Sequence, residues 1–251
     1  MNNIKFCIAN WKMYLNQSES IDFINTFNEN KFDDSVKAVI CPSYTYISKL
    51  NKIKSKEIYL GAQNVSLFDK GPYTGQISIE MVIELNCDYV IVGHSERREY
   101  NNETDKDINH KLIQLLKTKL TPIICIGEKL LERDKNIHFE VIEKQLNVIF
   151  NNLEIPKSKD ILIAYEPIWA IGSGRSANVE IIESMHNHIK NIIKNIMPNN
   201  RNIYILYGGS VNLSNSIEIG ELENVDGFLI GTSSLKPDIF YGIYKNLKGE
   251  N

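Results

Sequence analysis

The sequence contains little cysteine, and its cysteines form no recognisable pattern. Only four occur among 251 residues, with neither a C-x-x-C pair nor a Cys/His spacing typical of metal ligands. Cys7, Cys41 and Cys125 each lie in a short apolar run, where a small buried thiol is the usual role. We therefore expect a reducing compartment without a disulfide framework, and the sequence predicts no metal site.

Long apolar runs and an excess of one charge are also missing. No stretch approaches the ~20 apolar residues of a membrane span, and an apolar segment begins at Ile4, which leaves no room for a signal or transit segment. The formal net charge is -3, which indicates no general attraction to nucleic acid or anionic membranes. We expect a cytoplasmic protein with no nucleic-acid or membrane partner, in which local groups hold any bound anion.

The chain has no linker, low-complexity tract or charge block that would divide it, so residues 1–251 are predicted to form one domain. Short apolar runs alternate with amphipathic segments, and most runs are continuously apolar, as expected of parallel strands covered on both faces. The eight predicted strands are Ile4–Asn10, Val36–Cys41, Ile58–Gln63, Tyr89–Gly93, Thr121–Gly127, Ile161–Glu166, Asn202–Tyr207 and Gly227–Gly231. Helix N-caps are predicted at Ser18, Ser43, Thr104, Asn178 and Ser214.

Eight strand–helix units can form an open doubly wound sheet or a closed (β/α)₈ barrel, which typically takes ~250 residues. An open sheet gathers its ligand groups at one switch point. Here, polar groups follow many strands, including Asn10, Lys12, His94, Glu96, Glu166, Ser210 and Gly231. We therefore predict an α/β protein with a single-domain (β/α)₈ barrel.

Glu166 stands at the end of the apolar run that begins at Ile161, and Pro167 keeps it in extended backbone. The following loop is apolar and carries two glycines, Gly172 and Gly174, which can adopt unusual backbone angles. One interpretation is a general base beneath a lid that excludes water. The alternative is a strand-end glutamate paired with a neighbouring cation under an ordinary loop.

Two further groups follow strand ends. A buried Lys12 needs a counter-ion, which either a protein carboxylate or an anionic substrate could supply. His94 precedes a predicted helical turn, and a helix N-terminus favours a neutral imidazole that donates a hydrogen bond. A structural salt bridge and a turn histidine are the respective alternatives.

Glycine-containing turns follow the last two strands, at Gly208-Gly209-Ser210 and at Gly231-Thr232. Loops at these places in a barrel commonly hold phosphate through backbone amides. Tight turns that simply need glycine are the alternative. Taken together, a base, a neutral donor, a cation, a phosphate cradle and a lid describe proton abstraction beside a carbonyl in a small phosphorylated substrate.

With these residues, the chain resembles the triosephosphate isomerase family over nearly its whole length. The matching segments are Ala9-Asn10-Trp11-Lys12-Met13, Ala62-Gln63-Asn64-Val65, Gly93-His94-Ser95-Glu96-Arg97-Arg98, Cys125-Ile126-Gly127-Glu128, Ala164–Gly174 and Tyr207-Gly208-Gly209-Ser210. This enzyme is also a standard example of a glutamate base paired with a neutral histidine. The resemblance implies the TIM-barrel fold and the cofactor-independent interconversion of dihydroxyacetone phosphate and glyceraldehyde 3-phosphate, in glycolysis and gluconeogenesis.

The resemblance also implies the roles of individual residues. Glu166 would be the base, His94 the neutral donor and Lys12 the cation, while Asn10 would orient the substrate. Glu96 and Ser95 would hold these catalytic residues in position without contacting the substrate. The amides that the resemblance assigns to phosphate binding are those of Gly172, Ser210, Gly231 and Thr232.

A homodimer is implied as well, formed through the long loop 65–78, which has Thr74 near its tip. The chain departs from the family pattern at Tyr14, in the hinge Arg175-Ser176-Ala177, and at two positions that concern phosphate binding and the dimer. Thr232 stands where most members have a second glycine, and it would be strained if that position required a positive φ. Gln76 replaces the usual glutamate of the loop, which would weaken an ionic contact across the dimer.

Three other functions compete with this interpretation. Residues 172–177 spell a variant of the G-x-G-x-x-A dinucleotide fingerprint, but no Asp or Glu ends the next strand to bind a ribose. A Schiff-base aldolase would need a lysine at an inner strand end, and only Lys12 is available. A catalytically silent relative is disfavoured because no core catalytic residue type is missing.

Overall fold

The computed structural model describes residues 4–170, 177–197 and 202–249. Eight parallel strands close into a barrel in sequence order, and the first strand pairs with both the second and the eighth. The predicted barrel is therefore confirmed, and each predicted strand is present with ends within one residue of the prediction. The strands are β1 Lys5–Asn10, β2 Val36–Cys41, β3 Ile58–Ala62, β4 Tyr89–Val92, β5 Thr121–Ile126, β6 Ile161–Tyr165, β7 Ile203–Tyr207 and β8 Gly227–Ile230.

Helices connect the strands on the outside of the barrel, and two short 3₁₀ turns, Ile168–Ala170 and Thr232–Leu235, follow β6 and β8. Within the described ranges, the helices are α1 Gln17–Phe27, α2 Tyr44–Asn51, α3 Ile79–Glu84, α4 Ser95–Asn101, α5 Asp105–Leu115, α6 Leu130–Asp134, α7 His138–Ile149, α8 Val179–Ile196, α9 Ser216–Gly220 and α10 Pro237–Lys248.

The continuously apolar strands face two separate cores. In β1, Phe6 and Ile8 point into the barrel, where they join residues such as Leu162 of β6. Cys7 and Ala9 point outward and pack against the helices. Because successive side chains of a strand point to opposite faces, a strand covered on both sides needs apolar residues at every position.

Two of the predicted N-caps are wrong. Helix α1 is capped by Asn16 rather than Ser18, because the Asn16 side chain accepts the amide of Glu19 while the Glu19 carboxylate accepts the amide of Asn16. Helix α9 is capped by Asn215, and Ser214 lies in the preceding turn. The caps at Thr104 and Asn178 are confirmed with side-chain hydrogen bonds, whereas Ser43 caps α2 without one.

No helix within the described ranges has the length and apolar character needed to cross a membrane. All four cysteines are free and buried. In the same part of the chain, no group of three His, Cys, Asp or Glu side chains is arranged to hold a metal ion.

Candidate active site

A cavity opens at the carboxyl ends of the strands. Its volume is ≈ 190 Å³, which is smaller than the roughly 300–1,000 Å³ of pockets for drug-sized ligands and therefore suits a small substrate. Most of the predicted site residues meet here. The lining consists of Asn10, Lys12, His94, Glu166, Gly208, Gly209, Ser210, Val211, Asn212, Leu229, Gly231, Thr232 and Ser233.

Glu166 lines this cavity and is only 2% exposed. Its backbone N–H donates to the carbonyl oxygen of Ile126, 2.8 Å away, which extends the β5–β6 pairing by one step. Its carboxylate oxygen Oε2 accepts the backbone N–H of Ser95 at 2.9 Å. The carboxylate is therefore kept from bulk water, with Oε2 held by the Ser95 amide and Oε1 facing Nε2 of His94.

Two glycines make room for Glu166. A Cβ atom added to Gly127 would lie 1.8 Å from the carbonyl oxygen of Glu166, and one added to Gly208 would lie 2.9 Å from its Cγ. Real Cβ atoms do not approach other atoms so closely, so either substitution would displace the glutamate. The glycines after β5 and β7 thus set the position of the carboxylate between them.

His94 is the N-cap of α4, and its Nδ1 accepts the backbone N–H of Glu96 at 3.2 Å. An imidazole nitrogen that accepts a hydrogen bond carries no proton, so the ring is neutral and its hydrogen is on Nε2. Nε2 lies 3.2 Å from Oε1 of Glu166. The carboxylate of Glu96 lies 3.6 Å from Nδ1, too far for a hydrogen bond that would protonate this nitrogen.

Lys12 finds its counter-ion in Glu96, whose Oε1 lies 2.6 Å from Nζ. Its backbone has a positive φ of 53°. That conformation is held by three side chains. Oδ1 of Asn10 accepts the Lys12 amide at 3.1 Å, while Nε2 of Gln63 and the Ser43 hydroxyl donate to the Lys12 carbonyl at 2.8 and 3.4 Å. The ammonium is thereby directed into the cavity beside its acid partner.

The lining of the cavity also contains Ser210, Gly231 and Thr232. A Cβ on Gly231 would lie 3.5 Å from Cε of Lys12, so this part of the lining runs alongside the lysine. Thr232 begins a 3₁₀ turn and is not among the described residues with positive φ, so the strain considered for a threonine here does not arise. Gly172, the remaining predicted phosphate contact, lies outside the described residues.

Glu128 organises a cluster that sequence reasoning did not single out. Its carboxylate is fully buried, and Oε1 accepts hydrogen bonds from the Tyr165 hydroxyl, the Trp169 indole and the Arg133 guanidinium at 3.0, 2.8 and 2.9 Å. Burial raises the pKa of Tyr165 well above its usual value, so the hydroxyl remains a donor. The cluster fixes the 3₁₀ turn that follows Glu166. The sequence signal for this cluster is an acidic residue just after the end of β5.

Cys125 lies next to Glu166 from the inner side of the barrel. Burial, together with the neighbouring Glu166 carboxylate, raises the pKa of this thiol well above its usual value. The thiol therefore stays protonated and is a packing group rather than a nucleophile.

The family model described as triosephosphate isomerase matches residues 5–247. The chain belongs to the triosephosphate isomerase family. The triosephosphate isomerase of Alkaliphilus metalliredigens is 41% identical over 238 residues, covering 94% of this chain and 96% of that protein. Those of Dictyoglomus turgidum and Aquifex aeolicus are 43% and 42% identical, covering 96% and 92% of this chain and 99% and 95% of the relatives.

Membership of this family establishes the reaction. The chain is an isomerase that interconverts dihydroxyacetone phosphate and D-glyceraldehyde 3-phosphate, a step of glycolysis. The dinucleotide-binding and Schiff-base alternatives are therefore rejected, as is a catalytically silent relative. The dinucleotide-like segment itself, residues 172–177, lies almost entirely outside the described ranges.

Proposed function

We propose that Glu166 is the base of the isomerisation, that neutral His94 stabilises the enediolate, and that Lys12 is the cation beside it. The observation that carries this assignment is the 3.2 Å approach of His94 Nε2 to Glu166 Oε1 inside the cavity. A proton acceptor and a neutral hydrogen-bond donor within reach of the same small substrate are what proton transfer beside a carbonyl requires.

These roles imply a sequence of proton transfers. The Glu166 carboxylate takes a proton from C1 of dihydroxyacetone phosphate, and the electron pair of that C–H bond forms the C1–C2 double bond as the carbonyl oxygen becomes an oxyanion. Nε2–H of His94 donates to this oxygen. The hydroxyl proton on O1 moves to O2. The electron pair left on O1 then forms the C1=O bond, and the pair of the C1–C2 double bond takes the proton of Glu166 at C2. Glyceraldehyde 3-phosphate is released with the glutamate again ionised.

The surrounding residues support these roles without reacting. Ser95 fixes Glu166 through its amide, and the amide of Glu96 fixes the tautomer of His94. The carboxylate of Glu96 holds Lys12, and Asn10 supports the Lys12 backbone. We assign phosphate binding to the wall with Ser210, Gly231 and Thr232, together with Gly172.

We also propose a homodimer formed through loop 65–78. Around the Lys12 side of the cavity, large apolar side chains are exposed: Met13 is 94%, Tyr14 60% and Tyr100 74% exposed. Grouped apolar exposure of this kind is typical of an interaction surface. Loop 65–78 itself carries a stacked pair, Phe68 and Tyr73, with ring centroids 3.8 Å apart. A second copy of the chain is the occupant that the family resemblance implies.

A single domain over residues 1–251 and a cytoplasmic location complete the proposal. The closed barrel supports the single domain, because every strand from β1 to β8 belongs to one sheet. The role in glycolysis and the buried free cysteines support a reducing, cytoplasmic setting.

The base is tested by comparing the purified protein with Glu166→Gln in the conversion of glyceraldehyde 3-phosphate to dihydroxyacetone phosphate. Loss of a general base costs ~10²–10⁴ in rate, so we expect kcat to fall by about three orders of magnitude, with the fold unchanged by circular dichroism. Glu143→Gln, an exposed carboxylate on α7, is the matched control and should retain full activity. Near-normal kcat in Glu166→Gln would overturn the assignment.

A further inference from the structure

The Thr232 side chain takes no part in the hydrogen bonds that hold the described part of the fold together. It lines the same cavity as Lys12, Ser210 and Glu166 and is exposed. Its hydroxyl makes no hydrogen bond with any described residue. A hydroxyl on a cavity wall that the fold does not use is available to a ligand.

The local turn is held by other residues. The Ser234 hydroxyl donates toward the carbonyl oxygens of Ile230 and Gly231, at 3.0 and 2.7 Å, and its amide donates to Gly231 at 2.9 Å. The Trp11 indole donates to the Ser234 carbonyl at 3.2 Å. Because these bonds do not involve the Thr232 side chain, its replacement should leave the turn in place.

The charge balance of the cavity indicates that a bound phosphoryl group needs neutral hydrogen-bond donors. Lys12 lies alongside Gly231, but its ammonium is already paired with Glu96 at 2.6 Å. The opposite charges of this pair nearly cancel, so the pair presents little net positive charge to the cavity. A doubly charged phosphoryl group bound here therefore depends on neutral donors more than it would beside an unpaired lysine.

We infer that the Thr232 hydroxyl donates a hydrogen bond to the phosphoryl group of the substrate and so contributes to selectivity for phosphate monoesters. A β-branched side chain has few χ1 rotamers, so the hydroxyl is partly ordered before the ligand arrives. This inference rests on the proposed location of the phosphate site, but it concerns binding and not the proton transfer. The contribution of a side chain at this position is additional to that of the backbone amides.

The test compares Thr232→Val, which keeps the shape but removes the hydroxyl, with Thr232→Ser, which keeps the hydroxyl. Inorganic phosphate is the probe, and its dissociation constant is measured by calorimetry at fixed pH and ionic strength. A hydrogen bond to a charged group is worth ~1.5–3 kcal/mol, so we expect binding at least tenfold weaker in Thr232→Val. Thr232→Ser should bind within about twofold of the unmodified protein, because it keeps the donor.

Steady-state kinetics provide the second readout. If the hydroxyl binds substrate and transition state equally, KM rises in Thr232→Val while kcat changes little. Thr232→Ala replaces the valine variant if the latter does not fold. Equal phosphate affinity in the valine, alanine and unmodified proteins would overturn the inference, as would an equal loss in the valine and serine variants.

The two proposals fail independently. Phosphate binding that is insensitive to Thr232, in a protein whose turnover still requires Glu166, would reject only the hydroxyl contact. Weakened phosphate binding in Thr232→Val, together with full activity of Glu166→Gln, would reject only the catalytic assignment.

Discussion

At the scale of single residues, two histidines are held by different contacts. His94 is fixed by the amide that donates to its Nδ1. His186 is fully buried on α8, with the rings of Tyr165 and Tyr207 nearby and its Nδ1 against the carbonyl oxygen of Asn224 at 2.7 Å. Burial lowers the pKa of His186 to about 4, with the Asn224 carbonyl acting in the opposite direction.

This buried imidazole should make stability depend on pH. Its pKa is lower in the folded protein than the value of 6.5 expected when exposed, so the unfolded chain binds the proton more strongly. The resulting stability is fully present above pH 6.5 and is lost as the pH falls from 6.5 toward 4, by an amount on the order of 3 kcal/mol. Urea unfolding measured across this range gives the slope.

A neutral replacement tests that origin. His186→Gln is expected to be less stable than the unmodified protein at pH 7 but to show a flatter loss of stability between pH 6.5 and 4. His110→Gln, at an exposed position on α5, should leave the slope unchanged. Parallel slopes for the unmodified protein and His186→Gln would contradict the explanation.

At the scale of secondary-structure elements, loop 65–78 is joined to α4 and α5 by a buried charged network. The Glu103 carboxylate accepts hydrogen bonds from Lys111 and from Arg97 Nε, the latter at 2.7 Å. Lys111 also donates at 2.7 Å to Oδ1 of Asn64, the residue directly before the loop. Burial lowers the pKa of Lys111, and the Glu103 carboxylate opposes that shift.

Removing one partner of this network should be costly. Lys111→Met leaves a buried carboxylate with fewer donors, and breaking a buried pair in this way typically costs ~3–5 kcal/mol. Lys37→Met, which disrupts a pair with the fully exposed Asp34, should change the unfolding free energy by less than ~1 kcal/mol. Chemical denaturation compares the two variants. Similar small losses in both would mean that the buried network is not anchoring the loop.

The elements were largely predictable from the sequence, whereas their contacts were not. Continuous apolar runs between polar residues mark the strands, since a strand covered on both faces leaves this pattern. The start of α1 was misplaced because Asn16 and Ser18 are both good caps, and only the reciprocal bonds with Glu19 decide between them. The Lys12–Glu96 pair joins residues 84 positions apart, and local patterns contain no information on such pairs.

At the scale of the whole molecule, the proposed dimer predicts that a charge introduced on the exposed surface beside loop 65–78 weakens dimerisation. Tyr100 is exposed on α4 and lines a cavity with Gly75 and Gln76 of the loop. Tyr100→Glu should fold normally but dimerise at least tenfold more weakly, because a second subunit would bury an unpaired charge. Leu131→Glu, 64% exposed on α6, is the matched control. Sedimentation equilibrium of both variants, with activity measured on dilution, decides the question. A monomeric unmodified protein would reject the dimer.

The uneven pairing around the barrel has a consequence for how the protein unfolds and misfolds. Strands β3 and β4 share only two residue pairs, and so do β7 and β8, whereas β1 and β2 share six. These two short seams divide the barrel into β8-β1-β2-β3 and β4-β5-β6-β7. Partial unfolding should therefore separate half-barrels, each with two newly unpaired strand edges. Unpaired apolar edges are templates for intermolecular pairing, so aggregation would begin from these seams. The closed barrel protects the protein from aggregation because it leaves none of the strands β1 to β8 with an unpaired edge.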